Sequence, residues 1–137
     1  IKNRKFYNLM RNLIGNLSPE DFELSTFWVN YQRKHEFNPV HNHSGIFSFV
    51  LWNNIPYKYV DEINQKFLCG CSRPEPASFK FSYPGPLGDF QSYHYCHEEE
   101  MNKKLVFFPS RLNHSVNPFY STDEVRVSVS GNLDFKK

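Results

Sequence analysis

The amino-acid sequence predicts a mainly β domain, a sandwich or barrel of short strands with one helix at its N-terminus. Segments rich in aromatic and β-branched residues recur along the chain after residue 24, and turn-forming sequences separate them. Nine Pro and six Gly are spread along the chain, while 14 Phe, 8 Tyr and 2 Trp supply large side chains for a core. The 137 residues are enough for one domain and too few for two.

The N-terminal segment has the spacing of an amphipathic helix. Apolar residues recur at intervals of three and four over residues 1–17, and Lys and Arg occupy other positions. We expect this helix to pack on the outside of the barrel through Phe6, Leu9, Met10 and Leu13. The predicted single domain, residues 1–137, therefore divides into an N-terminal helical segment, 1–23, and a barrel, 24–132.

Six segments after the helix have the composition of strands. They are residues 24–32, 46–52, 79–83, 90–95, 104–108 and 125–130. Residues 46–52 are apolar on both faces, so we expect that strand at the centre of a sheet. Ser18 followed by Pro19 indicates a turn or a short helix start before the first strand. Strands do not alternate with helical patterns, which argues against a parallel α/β fold.

Charge, hydropathy and cysteine content exclude several functional classes. The net charge is only +2 without a basic stripe, which argues against a nucleic-acid partner. The longest apolar segments are far shorter than the roughly 20 residues of a membrane-spanning helix. Cys69, Cys71 and Cys96 form an odd set, which favours reduced thiols in a cytoplasm over a disulfide framework. Because the chain starts at Ile1 rather than Met, we expect a piece of a longer product.

His41 and His43 form an H-x-H pair just before the strand 46–52. In an extended segment residues i and i+2 point to the same side, so both imidazoles can face one point. His114 follows another strand and a turn, and it is the candidate third ligand. Three protein ligands with open positions describe a catalytic metal site. The alternative is that His41 and His43 are surface loop residues.

Arg126 lies in a strictly alternating strand, with Ser128 and Ser130 on the same face. One explanation is that this polar face meets solvent. The other is that it lines a small barrel, where Arg126 and Ser128 bind a carboxylate. A guanidinium matches a carboxylate in a bidentate manner, and a hydroxyl adds a further donor.

Four blocks of the sequence resemble the Fe(II)- and 2-oxoglutarate-dependent oxygenases. They are similar in particular to a group of small oxygenases of bacteria and their phages, and the resemblance covers residues 24–132. The blocks are Trp28-x-Asn30-Tyr31-Gln32, Phe37-Asn38-Pro39-x-His41-x-His43-Ser44-Gly45, Phe107-Phe108-Pro109-Ser110-x-Leu112-x-His114-x-Val116-x-Pro118 and Arg126-x-Ser128-x-Ser130-Gly131-Asn132.

The resemblance implies a double-stranded β-helix, or jelly-roll barrel, and a cytoplasmic dioxygenase. It implies that the three histidines bind Fe(II) and that Arg126 with Ser128 binds the 5-carboxylate of 2-oxoglutarate. We expect O₂ and an unidentified small molecule or peptide as the other reactants. Hydroxylation of a C–H bond would then release succinate and CO₂. Asn30 and Tyr31 are candidates for lining the cosubstrate pocket, and Trp28 and Phe47 are alternatives.

The second metal ligand departs from the wider superfamily, which has a carboxylate where this chain has His43. Three neutral imidazoles leave the site one unit more positive than two imidazoles and a carboxylate. Asp89 or one of Glu98, Glu99 and Glu100 is an alternative source of an anion, although none lies at a recognisable spacing. We expect His43 to be the ligand because it shares a face with His41.

Other functions remain as competing hypotheses. A cupin-like three-His metal enzyme or sensor would bind no oxoacid, and a virion or host-interaction module would retain the fold without catalysis. Arg126 distinguishes the first of these from an oxygenase. A zinc site built from Cys69, Cys71, His94, Cys96 and His97 does not have the spacing of structural zinc sites.

Overall fold

The computed structural model describes residues 18–96 and 99–136. The predicted helix over residues 1–17 lies outside the described residues. The strands are β1 (Phe22–Gln32), β2 (Asn38–His41), β3 (Phe47–Asn54), β4 (Ser78–Pro84), β5 (Phe90–Cys96), β6 (Leu105–Pro109), β7 (Asn113–Val116) and β8 (Arg126–Phe135). One short α-helix, α1 (Tyr59–Ile63), and three 3₁₀ turns (Pro19–Asp21, Lys66–Leu68 and Glu99–Met101) lie between them.

The strands form two antiparallel four-stranded sheets, which confirms the mainly β prediction. The first sheet has the order β1-β8-β3-β6 and the second has the order β2-β7-β4-β5. The strand predicted to be central, β3, lies between β8 and β6 in the first sheet. Long-range antiparallel pairing of this kind brings residues from both ends of the chain onto the same inner faces.

The hydrophobic core lies between the two sheets. Trp52 and Phe108 reach it from the first sheet, and Phe79, Phe81 and Val116 reach it from the second. The rings of Trp52 and Phe79 are 5.9 Å apart, and those of Phe81 and Phe108 are 5.0 Å apart. Burial of one such side chain contributes roughly 1.5–3 kcal/mol. The aromatic residues therefore provide a large part of the hydrophobic core that stabilises this small domain.

Two strands were absent from the sequence-based prediction. Neither β2, Asn-Pro-Val-His, nor β7, Asn-His-Ser-Val, has a clear alternation or a run of apolar residues. They form because they pair with each other and β7 also pairs with β4. The Ser18 prediction is confirmed, since its hydroxyl accepts from the Glu20 N–H at 3.2 Å and begins the turn Pro19–Asp21.

Within the described residues, the helices are too short and too polar to cross a membrane.

Gly131 on β8 is closely packed between its neighbouring strands. A Cβ there would lie 2.7 Å from the Thr26 carbonyl oxygen and 2.7 Å from the Phe49 ring. Because the carbonyl belongs to the backbone, it cannot move aside cheaply. We expect Gly131→Ala to lower the free energy of unfolding by about 1–3 kcal/mol, as measured by urea denaturation. Gly70→Ala is the control, since nothing lies within 4 Å of its Cβ position. Equal stability of the two variants would contradict this packing.

Candidate metal centre

Three histidines converge at one end of the space between the sheets. His41 ends β2 and lies directly opposite His114 of β7, while His43 follows two residues later. One ring nitrogen from each residue lies within 4.8 Å of those of the other two. The ring centroids of His41 and His114 are 4.3 Å apart, and each of these rings is 5.0 Å from that of His43. This geometry fits the binding of one metal ion.

Two of the rings have their coordinating nitrogen defined by the backbone. The Nδ1 of His41 lies 2.7 Å from the Pro39 carbonyl oxygen, and the Nδ1 of His114 lies 2.9 Å from the Leu112 carbonyl oxygen. A carbonyl only accepts, so Nδ1 carries the hydrogen in both rings. The Nε2 lone pair of each ring is therefore available to a metal, which is the usual arrangement for ligating histidines.

The surroundings favour neutral imidazoles. Burial lowers the pKa of His114 to about 4; its hydrogen bond to the Leu112 carbonyl raises the pKa, and the nearby His41 and His43 lower it further. Burial also lowers the pKa of His43, and the charge of a protonated His41 adds to that effect. Neutral imidazole is the form that binds metals, so no proton has to leave these two rings at neutral pH.

A cavity of about 200 Å³ extends from the histidines between the sheets. Its lining comprises Trp28, Asn30, Gln32, Asn38, His41, His43, Phe49, Val50, Trp52, Phe79, Phe108, His114, Val116, Ser128 and Ser130. The polar residues come mainly from β1 and β8, whereas the walls opposite them are apolar. The amide nitrogen of Asn30 lies 3.4 Å from the Ser128 hydroxyl and 3.5 Å from that of Ser130. The cavity is thus polar along one side.

Alternation along β1 corrects one predicted pocket residue. Asn30 faces the cavity, but Tyr31 points to the opposite face and is 72% exposed. Of the two alternatives, Trp28 faces the cavity, with its ring 5.4 Å from that of His43. Phe47 packs against Phe107 at 4.9 Å, and it does not line the cavity.

Arg126 is buried next to this cavity, so the solvent-facing alternative is wrong. The side chain is 1% exposed, and its guanidinium donates to the Tyr57 hydroxyl at 2.6 Å and the Asn117 carbonyl at 3.0 Å. Three aromatic rings, those of Trp52, Tyr57 and Phe119, lie 5.2 to 5.9 Å from its central carbon. Protein groups therefore already accept hydrogen bonds from the guanidinium.

A family profile described as putative 2OG-Fe(II) oxygenase matches residues 26–132 of the chain. The chain belongs to this family. A search of curated proteins found none that matches. The matched range contains every candidate site residue named above, from Trp28 to Ser130. The resemblance of the four sequence blocks is therefore confirmed, and the three-His group fits the metal binding that this family implies.

Tyr57 and Glu62 surround the buried Arg126, which the sequence alone did not reveal. Burial raises the pKa of Tyr57 to about 12, although the charge and hydrogen bond of Arg126 oppose the rise, so Tyr57 stays a neutral phenol. The carboxylate of Glu62 is fully buried and accepts from the Tyr120 N–H at 2.7 Å, the Ser121 N–H at 3.0 Å and the Ser121 hydroxyl. Its negative charge favours the protonated guanidinium of Arg126.

The alternative ligands of this oxygenase do not join the histidines. Within the described residues, His41, His43 and His114 form the sole group of three or more candidate ligands. Asp89 and Glu99 are exposed, and Glu98 lies outside the described residues. For the zinc alternative, Cys69 and Cys71 are exposed free thiols, and the His94 ring lies 3.6 Å from the carboxylate of Glu75.

Loss of one histidine is expected to remove the metal. His41→Ala and His114→Ala should each abolish Fe(II) binding, because two remaining ligands seldom hold a labile divalent ion. His43→Asp should retain binding, since a carboxylate is the commoner ligand at that position in the superfamily. Anaerobic calorimetry with Fe(II) measures this, and His94→Ala is the control. Unchanged Fe(II) affinity in His41→Ala would place the metal elsewhere.

Glu62 is expected to stabilise the fold around Arg126. Glu62→Gln replaces one acceptor oxygen by a donor that faces N–H groups, which should cost about 1–3 kcal/mol in the free energy of unfolding. Asp61→Asn on the same helix is the matched control, because Asp61 is exposed. Chemical denaturation compares the two variants. If Glu62→Gln unfolds no more easily than Asp61→Asn, the buried carboxylate contributes nothing to stability.

Proposed function

We propose that this chain is a non-haem Fe(II)- and 2-oxoglutarate-dependent dioxygenase that hydroxylates a C–H bond of its substrate. The observation that supports the proposal most strongly is the pairing of two features along one cavity. Three convergent imidazoles lie at one end, and the buried Arg126 lies next to Ser128 of the lining. Family membership supports the same cofactors. The substrate, a small molecule or peptide, is not defined by these features.

We also assign the two sheets to a double-stranded β-helix, or jelly-roll. The strand orders are β1-β8-β3-β6 and β2-β7-β4-β5, so every connection crosses from one sheet to the other except the one between β4 and β5. Two four-stranded sheets in this alternating order are typical of jelly-rolls. In this arrangement the metal and cosubstrate sites lie inside the barrel, between the sheets.

His41, His43 and His114 would hold Fe(II), and Arg126 with Ser128 would bind the distal carboxylate of 2-oxoglutarate. When bound, iron and 2-oxoglutarate supply the oxidation, in which O₂ hydroxylates the substrate while the oxoacid becomes succinate and CO₂. Three neutral ligands leave the two positive charges of Fe(II) uncompensated. A dianionic oxoacid would balance that charge, so the neutral ligand set favours such a cosubstrate.

The protein groups around the cavity position the cosubstrate and exclude water. Tyr57 and the Asn117 carbonyl hold the guanidinium of Arg126 in place before any ligand binds. Asn30 orients the hydroxyls of Ser128 and Ser130 through its amide. We remove Tyr31 from the proposed pocket residues, since its side chain is on the outer face.

A cupin-like metal enzyme or sensor without 2-oxoglutarate is the second candidate. One observation favours it, namely that Arg126 already donates to protein acceptors and does not itself line the cavity. In such a protein Arg126 would hold Tyr57 and Asn117 together inside the barrel and would not bind an anion. The two candidates differ in one measurable property, which is the affinity for the oxoacid.

Replacement of Arg126 is expected to weaken 2-oxoglutarate binding and spare iron binding. Arg126→Ala should lose roughly 2–5 kcal/mol, as for one partner of a buried charge pair. Arg126→Lys should recover part of this, since an ammonium cannot form the bidentate contact. Ser128→Ala should lose on the order of 1 kcal/mol for one hydrogen bond. Anaerobic titration of the Fe(II) protein with 2-oxoglutarate, followed by the charge-transfer band of the chelate, measures each affinity.

Arg111→Ala is the control for that titration, because Arg111 is exposed. Unchanged Fe(II) affinity in the Arg126 variants shows that the metal site has folded. If Arg126→Ala then binds 2-oxoglutarate as tightly as the parent, the cupin-like function is the better one.

A further inference from the structure

His43 differs from the other two histidines in how it is held. His41 and His114 belong to paired strands, and each ring has a backbone carbonyl beside its Nδ1. His43 lies between β2 and β3, outside both strands. Within the described part of the chain, its ring nitrogens have no hydrogen-bond partner; its ring packs on that of Trp28 at 5.4 Å, and its backbone N–H donates to the Ser110 carbonyl at 2.9 Å. The backbone of His43 is therefore anchored to Ser110.

Ser110 in turn is held by a row of polar side chains across the first sheet, which are buried except for the exposed Thr26. Ser110 is fully buried, and its hydroxyl lies 2.8 Å from that of Ser48 on β3. The Ser48 hydroxyl lies 2.7 Å from the amide oxygen of Asn132 on β8, and the Asn132 amide nitrogen donates to the Thr26 hydroxyl on β1 at 2.8 Å. Thr26, Asn132 and Ser48 are direct cross-strand neighbours in the register. We call these four residues the polar row.

The direction of each hydrogen bond in the polar row follows from its chemistry. An amide oxygen only accepts, and Ser48 has one hydroxyl hydrogen, so Ser48 donates to Asn132. Ser110 must then donate to Ser48. The row therefore consists of three consecutive hydrogen bonds between β1 and the residue whose carbonyl holds His43. A buried polar group that lacks its partner costs roughly 1–3 kcal/mol, so each member constrains the next.

We propose that the polar row positions His43 for metal binding, with Ser48 and Ser110 as the positioning residues. This inference rests on the proposed three-His iron site. An apolar side chain at Ser48 would suit a sheet interior, yet the row ends at Ser110, whose carbonyl holds His43. Among the three histidines of the site, His43 alone lies outside the strands. Loss of the row should release His43 while leaving His41 and His114 in their paired strands.

The test counts the imidazoles bound to a probe metal. Each protein is loaded with less than one equivalent of Cu(II), and the bound imidazoles are counted by electron spin echo envelope modulation. The parent should show three, and His43→Ala should show two. Ser48→Ala should reproduce the His43→Ala signal, although its histidines are intact. Its Fe(II) affinity, measured by anaerobic calorimetry, should fall by at least about 10- to 100-fold, because two remaining imidazoles hold Fe(II) weakly.

Ser82→Ala is the matched control. Ser82 is a buried serine of the second sheet, 2% exposed, and its hydroxyl has no hydrogen-bond partner among the described residues. This variant should keep three bound imidazoles and the parent Fe(II) affinity. If Ser48→Ala does not fold, Ser110→Ala takes its place, because Ser48 can still donate to Asn132 in that variant.

The outcomes separate this inference from the proposed function. Fewer than three imidazoles in the parent would overturn the three-His iron site itself. Three imidazoles in both the parent and Ser48→Ala, with a lower unfolding midpoint for Ser48→Ala, would show that the polar row is purely structural and overturn the inference alone. Two imidazoles in Ser48→Ala and three in Ser82→Ala would support it.

Discussion

The antiparallel register between β2 and β7 is the constraint on which the site depends. It places His41 opposite His114, although the two residues are far apart in the chain. Because side chains alternate across a strand, a shift of one residue would turn one of these rings to the other face. The same strand β7 pairs with β4, where His114 lies opposite Phe81. The candidate metal ligand His114 is thereby anchored to the aromatic core.

The two sheets contribute different chemistry to the interior. The second sheet supplies apolar walls such as Phe79 and Val116, while the inner face of β8 in the first sheet presents Arg126, Ser128, Ser130 and Asn132. Burying polar groups is unfavourable unless each has a partner. The partners here are other protein groups, which include Asn30 for the two serines of the cavity lining. Burial of the apolar side chains offsets the free-energy cost of burying the polar ones.

Burial of Arg126 requires an environment that tolerates a cation without water. Burial lowers the pKa of its guanidinium, whereas Tyr57 and Glu62 raise it. The faces of Trp52 and Phe119 add the attraction of aromatic rings for a cation. Glu62 also fixes the segment at Tyr120 through its N–H. The loops between strands therefore favour the charged guanidinium on which the proposed carboxylate binding depends.

The hydrogen-bonded row from Thr26 to Ser110 links the distant edge of the first sheet to the metal centre. Its members come from four separate segments of the chain, and its contacts need the registers of β1 with β8, of β8 with β3 and of β3 with β6. A single polar residue in a buried sheet would be a defect, but a complete row is stable and specific. The proposed positioning of His43 thus rests on the same hydrogen bonds that connect the strands of this sheet.

The sequence by itself determined those features that depend on local periodicity. Alternation within residues 125–130 placed Arg126 and Ser128 on one face, the H-x-H spacing placed His41 and His43 together, and six strands were evident from their composition. The shared face of β8 is buried as the functional interpretation required. The extent of the domain and the helix over residues 1–17 stay predictions.

Only the tertiary structure decided the features that depend on pairing across the chain. The strands β2 and β7 have little intrinsic β pattern and form through their neighbours. Tertiary structure also decided the surroundings of Arg126. Tyr57 and Glu62 lie in a turn and a short helix whose local sequences give no sign of a nearby buried arginine. The outward direction of Tyr31 followed from the register of β1 with β8. Local periodicity assigns residues to alternate faces of a strand, but long-range pairing decides which face is buried.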